Sequence, residues 1–502
     1  MSITGPGSVT AATITAQTNM MNQLNTLAEE IGTGQAAQTY SGLQSQAGLV
    51  VSLNSQLAAI NGYSNTISTV NTTLGIAQAS LTQIGNLAGT VEQEVTDQPS
   101  FNLNANGQTT VQVAAQSQLD EILSLLNTQV GSNYIFSGTA VNQPAVVSTS
   151  TLLNGTGSQA GLTQIISERQ QADLGTTGMG HLSVATTGST VTVSQDGTPF
   201  GFQLTGVTSS LTGATATGPT GTPPSISVAL ASQPNNGDTV SFQLTQPDGT
   251  TQTISLQATT STPPGTGQFS IGATTADTAA NLQSALSSAI TNLAQTTLPA
   301  ASAMEAGNNF FSDPPQIVVP GAGNDYYAAT SMTNGTAANT VIWYTGDNSA
   351  TPARQTQTAL VGPSTTVDYG MRANEAGITN IVKNVAVLAA TTYSANTSDT
   401  QSSYLTLSHQ LEANLNPPSG VQTIEDIESD IANAQTTVTN ATKLNTQTQT
   451  TLNDILNNVD GVNQSQVGEQ LLTLQNNLSA SMSISARLAQ ISLVNYLSPS
   501  SG

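Results

Sequence analysis

The sequence predicts an α+β protein, with a long antiparallel helical bundle or coiled coil formed by both chain ends and a β-rich region inserted between them. Three observations predict it. Apolar residues recur in a heptad pattern near each end. The apolar period then falls from about 3.5 to about 2 in the middle of the chain. Stretches rich in Pro, Gly and Thr separate the pieces. The expected segments are terminal helices over 1–42 and 460–502, and a long-helix bundle from 43–143 and 340–459. The β-rich region covers 144–339 and comprises two small subdomains.

The first helix is expected from about Thr10 to Ile31, closing near Gly32 and Gly34. Leu49, Leu53 and Leu57 then lead into the strongest pattern of the chain. Ile60, Tyr63, Ile67, Val70, Leu74, Ala77, Leu81, Ile84, Ala88, Val91 and Val95 alternate spacings of three and four, up to Asp97 and Pro99. Such a seam is the core of a helical bundle, within one chain or between copies. A second helix carries Val111, Ala115, Leu119, Ile122 and Leu126 after turn signals at Asn104-Ala105-Asn106-Gly107. In the middle, Thr239–Thr245 and Thr253–Ala258 alternate around Pro247-Asp248-Gly249-Thr250, which reads as a hairpin. Thr190–Val193 and Phe200–Leu204 read as another hairpin around Asp196-Gly197, with linkers at 218–224 and 261–267. Ala279, Leu282, Leu286, Ile290 and Leu293 mark an amphipathic helix. Near the C-terminus, Ile424, Ile427, Ile431, Ala434, Val438, Ala441, Leu452, Ile455 and Val459 form a seam interrupted by Asn445 and Thr448. Val467, Leu471, Leu474, Leu478 and Leu488 open the last helix.

Composition narrows the function. Lys plus Arg number 6 against 28 Asp plus Glu in 502 residues, a net charge of −22. Charged residues are 7% of the chain, against roughly 25% in an ordinary domain. Nucleic-acid binding, which needs clustered cations on phosphates, is excluded, and anionic membranes are disfavoured for the same reason. No apolar run is long enough to cross a membrane, so no membrane insertion is expected. The N-terminus lacks the basic start and apolar stretch of a secretory signal. With Cys at 0 and two separated histidines, His181 and His409, no catalytic residue, metal site or cofactor is expected, and the chain reads as a non-enzyme.

The remaining candidates read as structural. Asp196, Asp238 and Asp248 lie beside Gly, but lack the dense oxygen donors that calcium requires. They read as turn residues. His181 reads as a loop residue without a partner, and Trp343 as a packing anchor. Glu425, Asp426, Glu428 and Asp430 suit the positive end of a helix.

Several segments together resemble the bacterial flagellin family. Leu24, Leu27, Ile31, Gly32 and Gly34, followed by Ala47-Gly48-Leu49, Leu53 and Leu57, match the family's first helix and the opening of its long helix. Asn133-Tyr134-Ile135-Phe136-Ser137-Gly138-Thr139 resembles the motif that closes the N-terminal helical part in the hook–filament junction branch. Trp343–Asn348 and Tyr369–Glu375 resemble the segment that re-enters the helical part, and Leu493-Val494-Asn495-Tyr496-Leu497 resembles that branch's ending. The likeness covers roughly half the chain. It departs where the family has a basic residue and an Asp pair, here Gln35 and Thr39-Tyr40-Ser41-Gly42. Gly85-Asn86 replaces the family's Arg-Glu pair, and the first Lys or Arg is Arg169.

The resemblance implies an extracellular structural subunit, exported unfolded, that self-assembles into the helical homopolymer of the flagellar filament. The terminal helices would form its inner tube, with Leu24, Leu27, Ile31, Leu474, Leu478, Leu488 and Leu493 as contacts. Ile60, Ile67, Leu74, Leu81, Ile84 and Val91 would form the core of a surrounding shell, and the β-rich region its outer surface. The implied partners are further copies, flagellar cap and hook-associated proteins, and an export chaperone. The junction-protein branch is the alternative within the family. A secreted adhesin or carbohydrate-binding protein with a coiled-coil stalk is the alternative outside it. Since few carboxylates lie in the seams, the polymer is expected to stay in the pellet on sedimentation across wide changes of salt and pH. Dissolution at the acid threshold of ordinary charged filaments would contradict this.

Overall fold

The computed structural model describes residues 6–36, 43, 46–97 and 100–497. The side chains of 6–10, 460, 488, 489 and 491–497 lie outside the description. The chain is mixed helix and strand, with helices at both ends and a β-rich middle. It divides into two compact units: Met1–Val70 with Ala359–Val367 and Thr436–Gly502, and Asn71–Thr358 with Asp368–Gln435. The division falls inside the two longest helices, away from the segment limits expected at 43, 144, 340 and 460.

In the first unit, α1 (Pro6–Thr33) ends at Gly34, whose φ of +72° suits glycine. α2 (Ala47–Thr96) contributes its first half. Here Val50, Leu53 and Ile60 are buried, while Leu49 is 47% exposed. The stripe therefore runs Val50, Leu53, Leu57, Ile60, one position off the expected start at Leu49. Leu53, Leu57 and Ile60 share a core with Leu452 and Leu456. A second correction lies on that partner helix. Ile455 is 39% exposed, and Asn445, read as an interruption, is 3% exposed and donates its amide to the Val361 carbonyl at 2.9 Å. Half-buried Gln449 follows Asn445. Two successive spacings of four, a stutter, thus shift the seam from Ile455 to Leu456.

In the second unit the α2 seam is nearly dry. Leu74, Ala77, Leu81, Ile84 and Val91 are all 0% exposed. The helices that follow are α3 (Thr110–Leu126), α4 (Thr149–Asn154), α5 (Leu162–Leu174), α6 (Thr275–Thr296), α7 (Leu298–Phe310), α8 (Ala376–Ala390) and α9 (Ser398–Leu415). The start of α10 (Ile424–Asp460) also belongs here, whereas α11 (Gln464–Leu497) returns to the first unit. Local chemistry sets the helix starts. Thr109 and Gln112 cap α3 reciprocally, Thr274 and Asp277 cap α6, and Thr423 and Asp426 exchange the same bonds at the start of α10. The acidic cluster after Ile424 is therefore a helix start. Thr82 Oγ1 donates to Glu428 there at 2.7 Å.

The strands begin with a small ribbon, β1 (Gln129–Val130) and β2 (Asn133–Tyr134). Next come β3 (Leu182–Thr187), β4 (Thr190–Gln195), β5 (Gln203–Ser209), β6 (Ala214–Thr220), β7 (Ser225–Leu230), β8 (Thr239–Thr245), β9 (Thr251–Thr259) and β10 (Gln268–Ser270). Two-stranded pairs follow: β11 (Gln316–Val319) with β12 (Ser331–Asn334), and β13 (Thr358–Leu360) with β14 (Thr366–Asp368). The β8–β9 hairpin agrees with its alternation, Phe242 facing Ile254. The hairpin expected around Asp196-Gly197 does not form. β4 pairs with β3 and β7, and β5 pairs with β8 in the other sheet. The linker expected at 218–224 is instead the tip of the β6–β7 hairpin.

The two sheets, ordered β3-β4-β7-β6 and β10-β9-β8-β5, share one core rather than two. Val193, Ile226, Val228, Phe242, Leu244 and Leu256 meet Leu282, Leu286 and Ile290 of α6 within it. Each sheet has one apolar face to cover, and a single amphipathic helix serves both, which merges the expected subdomains. Leu81→Ala, in the dry part of the α2 seam, is expected to cost about 2–5 kcal/mol in denaturant unfolding. A loss below about 0.5 kcal/mol, the usual surface value, would contradict the assigned core.

Candidate assembly surface and insert junction

The terminal helices carry the expected seam residues, but they bury them incompletely. On α1, Thr13, Gln17, Met20, Leu24, Leu27 and Ile31 follow one heptad line and are all half-buried. On α11 the corresponding line is Val467, Leu471, Leu474, Leu478, Ser481 and Ser485, of which only Val467 is fully buried. The two helices touch along these lines. Gln17 Nε2 donates to Ser485 Oγ at 2.9 Å, and Gln35 bridges Gly461 at the other end. Leu488 and Leu493 lie on α11, with side chains outside the described residues. The other expected positions, Ile60, Ile67, Leu74, Leu81, Ile84 and Val91, are all buried.

The seam reading missed the residues beside the seam. Ile14 is 62% exposed, Met21 50%, Leu472 62%, Met482 51% and Ile484 58%. Each stands one residue off the seam. Adjacent apolar pairs such as Met20-Met21 and Leu471-Leu472 signalled a stripe wider than one partner helix can cover.

A second arrangement lies in the other unit, where segments far apart in sequence meet. Phe136 is fully buried, and its carbonyl accepts from Ala373 N at 2.9 Å. Ser137 bridges Arg372, and its carbonyl accepts from Asp347 N at 2.9 Å. Gly138 N donates to the Met371 carbonyl. At its φ of +63°, a Cβ on Gly138 would lie 3.1 Å from Asp347 Cβ and 3.2 Å from Arg372 Nε, so glycine is needed for both reasons. Trp343 is buried against Phe311, with ring centroids 5.1 Å apart, as a packing anchor should be. The three motif segments singled out in the sequence, 133–139, 343–348 and 369–375, thus form one joint where the chain leaves and re-enters its helices.

Arginines lock this joint. Arg372 Nη2 lies 2.8 Å from Asp347 Oδ2, and its Nη1 donates to the Ser349 carbonyl at 2.8 Å. Arg354 pairs with Glu375 and donates to the Gly370 carbonyl. Farther along, Arg169 pairs with the fully buried Asp173 at 2.8 Å and lies over the Phe200 ring. Burial pushes the Asp347 carboxyl upward. The Ser349 amide, the Arg372 guanidinium and nearby hydroxyls outweigh it and hold the group at about 2.

His181 corrects the sequence reading of a residue without a partner. At a φ of +65°, its Nδ1 lies 2.5 Å from Asp196 Oδ2, and its Nε2 lies 2.5 Å from the Ala172 carbonyl. Asp196, Asp238 and Asp248 do act as turn residues, accepting from the backbone of Thr198, Asn235 and Thr250 respectively. Among the described residues no group of three His, Cys, Asp or Glu could hold a metal ion, and no helix is long and apolar enough to cross a membrane. No protein-family model matches the chain, and no curated protein matches it.

The Arg372–Asp347 pair yields a direct test. Arg372→Ala removes the guanidinium that holds the half-buried Asp347 carboxylate and the Ser349 carbonyl, and is expected to cost about 1.5–3 kcal/mol of stability. The folded-state value of Asp347 is depressed below the usual 3.8. Its contribution is therefore present above about pH 4 and is lost as pH falls toward about 2. Asp347→Asn should reduce the loss of stability over that acid window, as read by denaturant unfolding. An unchanged slope would contradict the assignment.

Proposed function

We propose that this chain is a structural subunit of the bacterial flagellar filament, exported unfolded and assembled outside the cell into a helical homopolymer. In this reading α1 and α11 pair as an antiparallel coiled coil, and neighbouring copies cover the apolar residues that this pair leaves in water. One observation carries the reading: the seam leucines of the terminal helices are half-buried, and Ile14, Met21, Leu472, Met482 and Ile484 beside them are exposed. Exposed apolar side chains on the helices at both ends of one chain favour a contact between unlike faces of successive copies, and such a contact builds an open helix when it does not close into a ring. The absence of Cys suits a chain that crosses a narrow channel unfolded. No catalysis or cofactor enters this role. Cap and hook-associated proteins and an export chaperone are its further partners.

The hook–filament junction protein is the second reading, favoured by the joint built from 133–139, 343–348 and 369–375. Immunogold labelling separates the two: label along the whole filament supports the first, and label confined to the hook–filament boundary supports the second. For assembly itself, Met482→Glu should keep monomer stability within about 0.5 kcal/mol while abolishing seeded polymerisation, as read by sedimentation. A variant that polymerises like the parent would contradict the proposed contact surface. Sugar binding by a chain that never polymerises would support the adhesin reading instead.

A further inference from the structure

Helices α7 and α8 approach closely at Gly307, where a Cβ would lie 2.5 Å from Val387 Cγ2 and 3.4 Å from Lys383 Cγ. That contact holds the lysine stem along α7. Lys383 Nζ then lies 2.9 Å from Asn308 Oδ1. The other end of the same carboxamide is held too, because Asn308 Nδ2 donates to Glu305 Oε2 at 3.0 Å. Glu305 is itself fixed through its second oxygen, which accepts from Asn309 Nδ2 at 2.9 Å. An amine, a carboxamide and a carboxylate thus stand in sequence across two packed helices. Lys383 is one of only two lysines in 502 residues, and it is half-buried at a close helix contact. Burial lowers its ammonium below the ordinary lysine value, while the Glu305 charge opposes that effect. The free amine is therefore easier to reach than on a solvated lysine.

We propose that Lys383 and Asn308 become joined by an intramolecular amide bond, with Glu305 as the proton carrier. The ammonium first gives one proton to solvent. Nζ then attacks Asn308 Cγ, forming the N–C bond as the carbonyl electrons move onto Oδ1. The attacking nitrogen sheds a second proton, which Glu305 carries to Nδ2. The carbonyl re-forms, the Cγ–Nδ2 bond breaks and ammonia leaves. An amine and a primary amide give a secondary amide and ammonia, so atoms balance without oxidant or cofactor. Escape of ammonia into water makes the step one-way. In a chain without Cys, this bond would replace a disulfide as the staple between α7 and α8. The inference does not depend on the flagellar reading.

The test is the intact mass of the folded full-length chain, followed by a tryptic map. The expected mass is that of the sequence less one ammonia. The map should show a branched peptide joining the Asn308 and Lys383 segments, with no cleavage after Lys383. Lys383→Arg, which keeps the charge, and Asn308→Ala should both lose the branch, and Glu305→Gln should form it far more slowly. Circular dichroism checks that each variant folds. A parent mass equal to that of the sequence, with trypsin cutting after Lys383, would overturn the proposal. So would a mass deficit with an unbranched map, which marks cyclised asparagine elsewhere. A branch formed as fast in Glu305→Gln would remove Glu305 from the step.

Discussion

The helical framework of this protein rests on the burial of apolar seams along helices that have little else to hold them. Off the seams, the long helices are built largely from Ser, Thr, Asn and Gln, residues with modest helix propensity. Their hydroxyls turn back onto their own helix, as Thr66 does to Gly62, Thr446 to Thr442 and Thr473 to Glu469. That habit satisfies the hydroxyl and adds no stability to the helix. Surface ion pairs, worth about 0.3–0.5 kcal/mol at helical spacing, are scarce because cations are scarce. A fully buried leucine contributes about 1.5–3 kcal/mol, so the seams decide where these helices are stable.

The depth of burial follows the seams closely. From Leu74 to Val91 on α2 the seam is dry, and its neighbours include α3, which Gln83 reaches at Glu121. On α1 and α11 the equivalent leucines keep part of their surface in water, with methionine and isoleucine exposed beside them. Segments with less buried apolar area open at lower free energy. The terminal helices are accordingly the elements with most to gain from covering by further copies. The few cations serve a different end: Arg372, Arg354 and Arg169 sit in ion pairs within the second unit, where each replaces solvent for a carboxylate. The unpaired excess of carboxylates gives the chain a net charge of −22, which opposes non-specific association.

Periodicity made most of the helical framework legible. The seam from Ile60 to Val95 needed no correction, since alternating threes and fours have one solution on a helix. Asn445 defeated the same reasoning because a buried amide with a carbonyl partner can occupy a seam, and a stutter there moves the seam from Ile455 to Leu456 while Leu452 keeps its place. Strand pairing was legible only where a short turn fixed it, as at Asp248-Gly249. Between β4 and β5 the chain changes sheet, and alternation carries no information about partner choice. The joint of 133–139, 343–348 and 369–375 was visible as separate motifs, but their convergence needed the fold. His181 was opaque because its partners, Asp196 and the Ala172 carbonyl, reach it through tertiary structure alone.

Electron microscopy of the purified chain tests the central claim most directly. Hollow helical tubes that lengthen with protein concentration and need no other component would agree with this account, since terminal helices that leave apolar seams uncovered should find their cover in copies of themselves. Discrete particles of single-chain size at every concentration, even on preformed seeds, would contradict it.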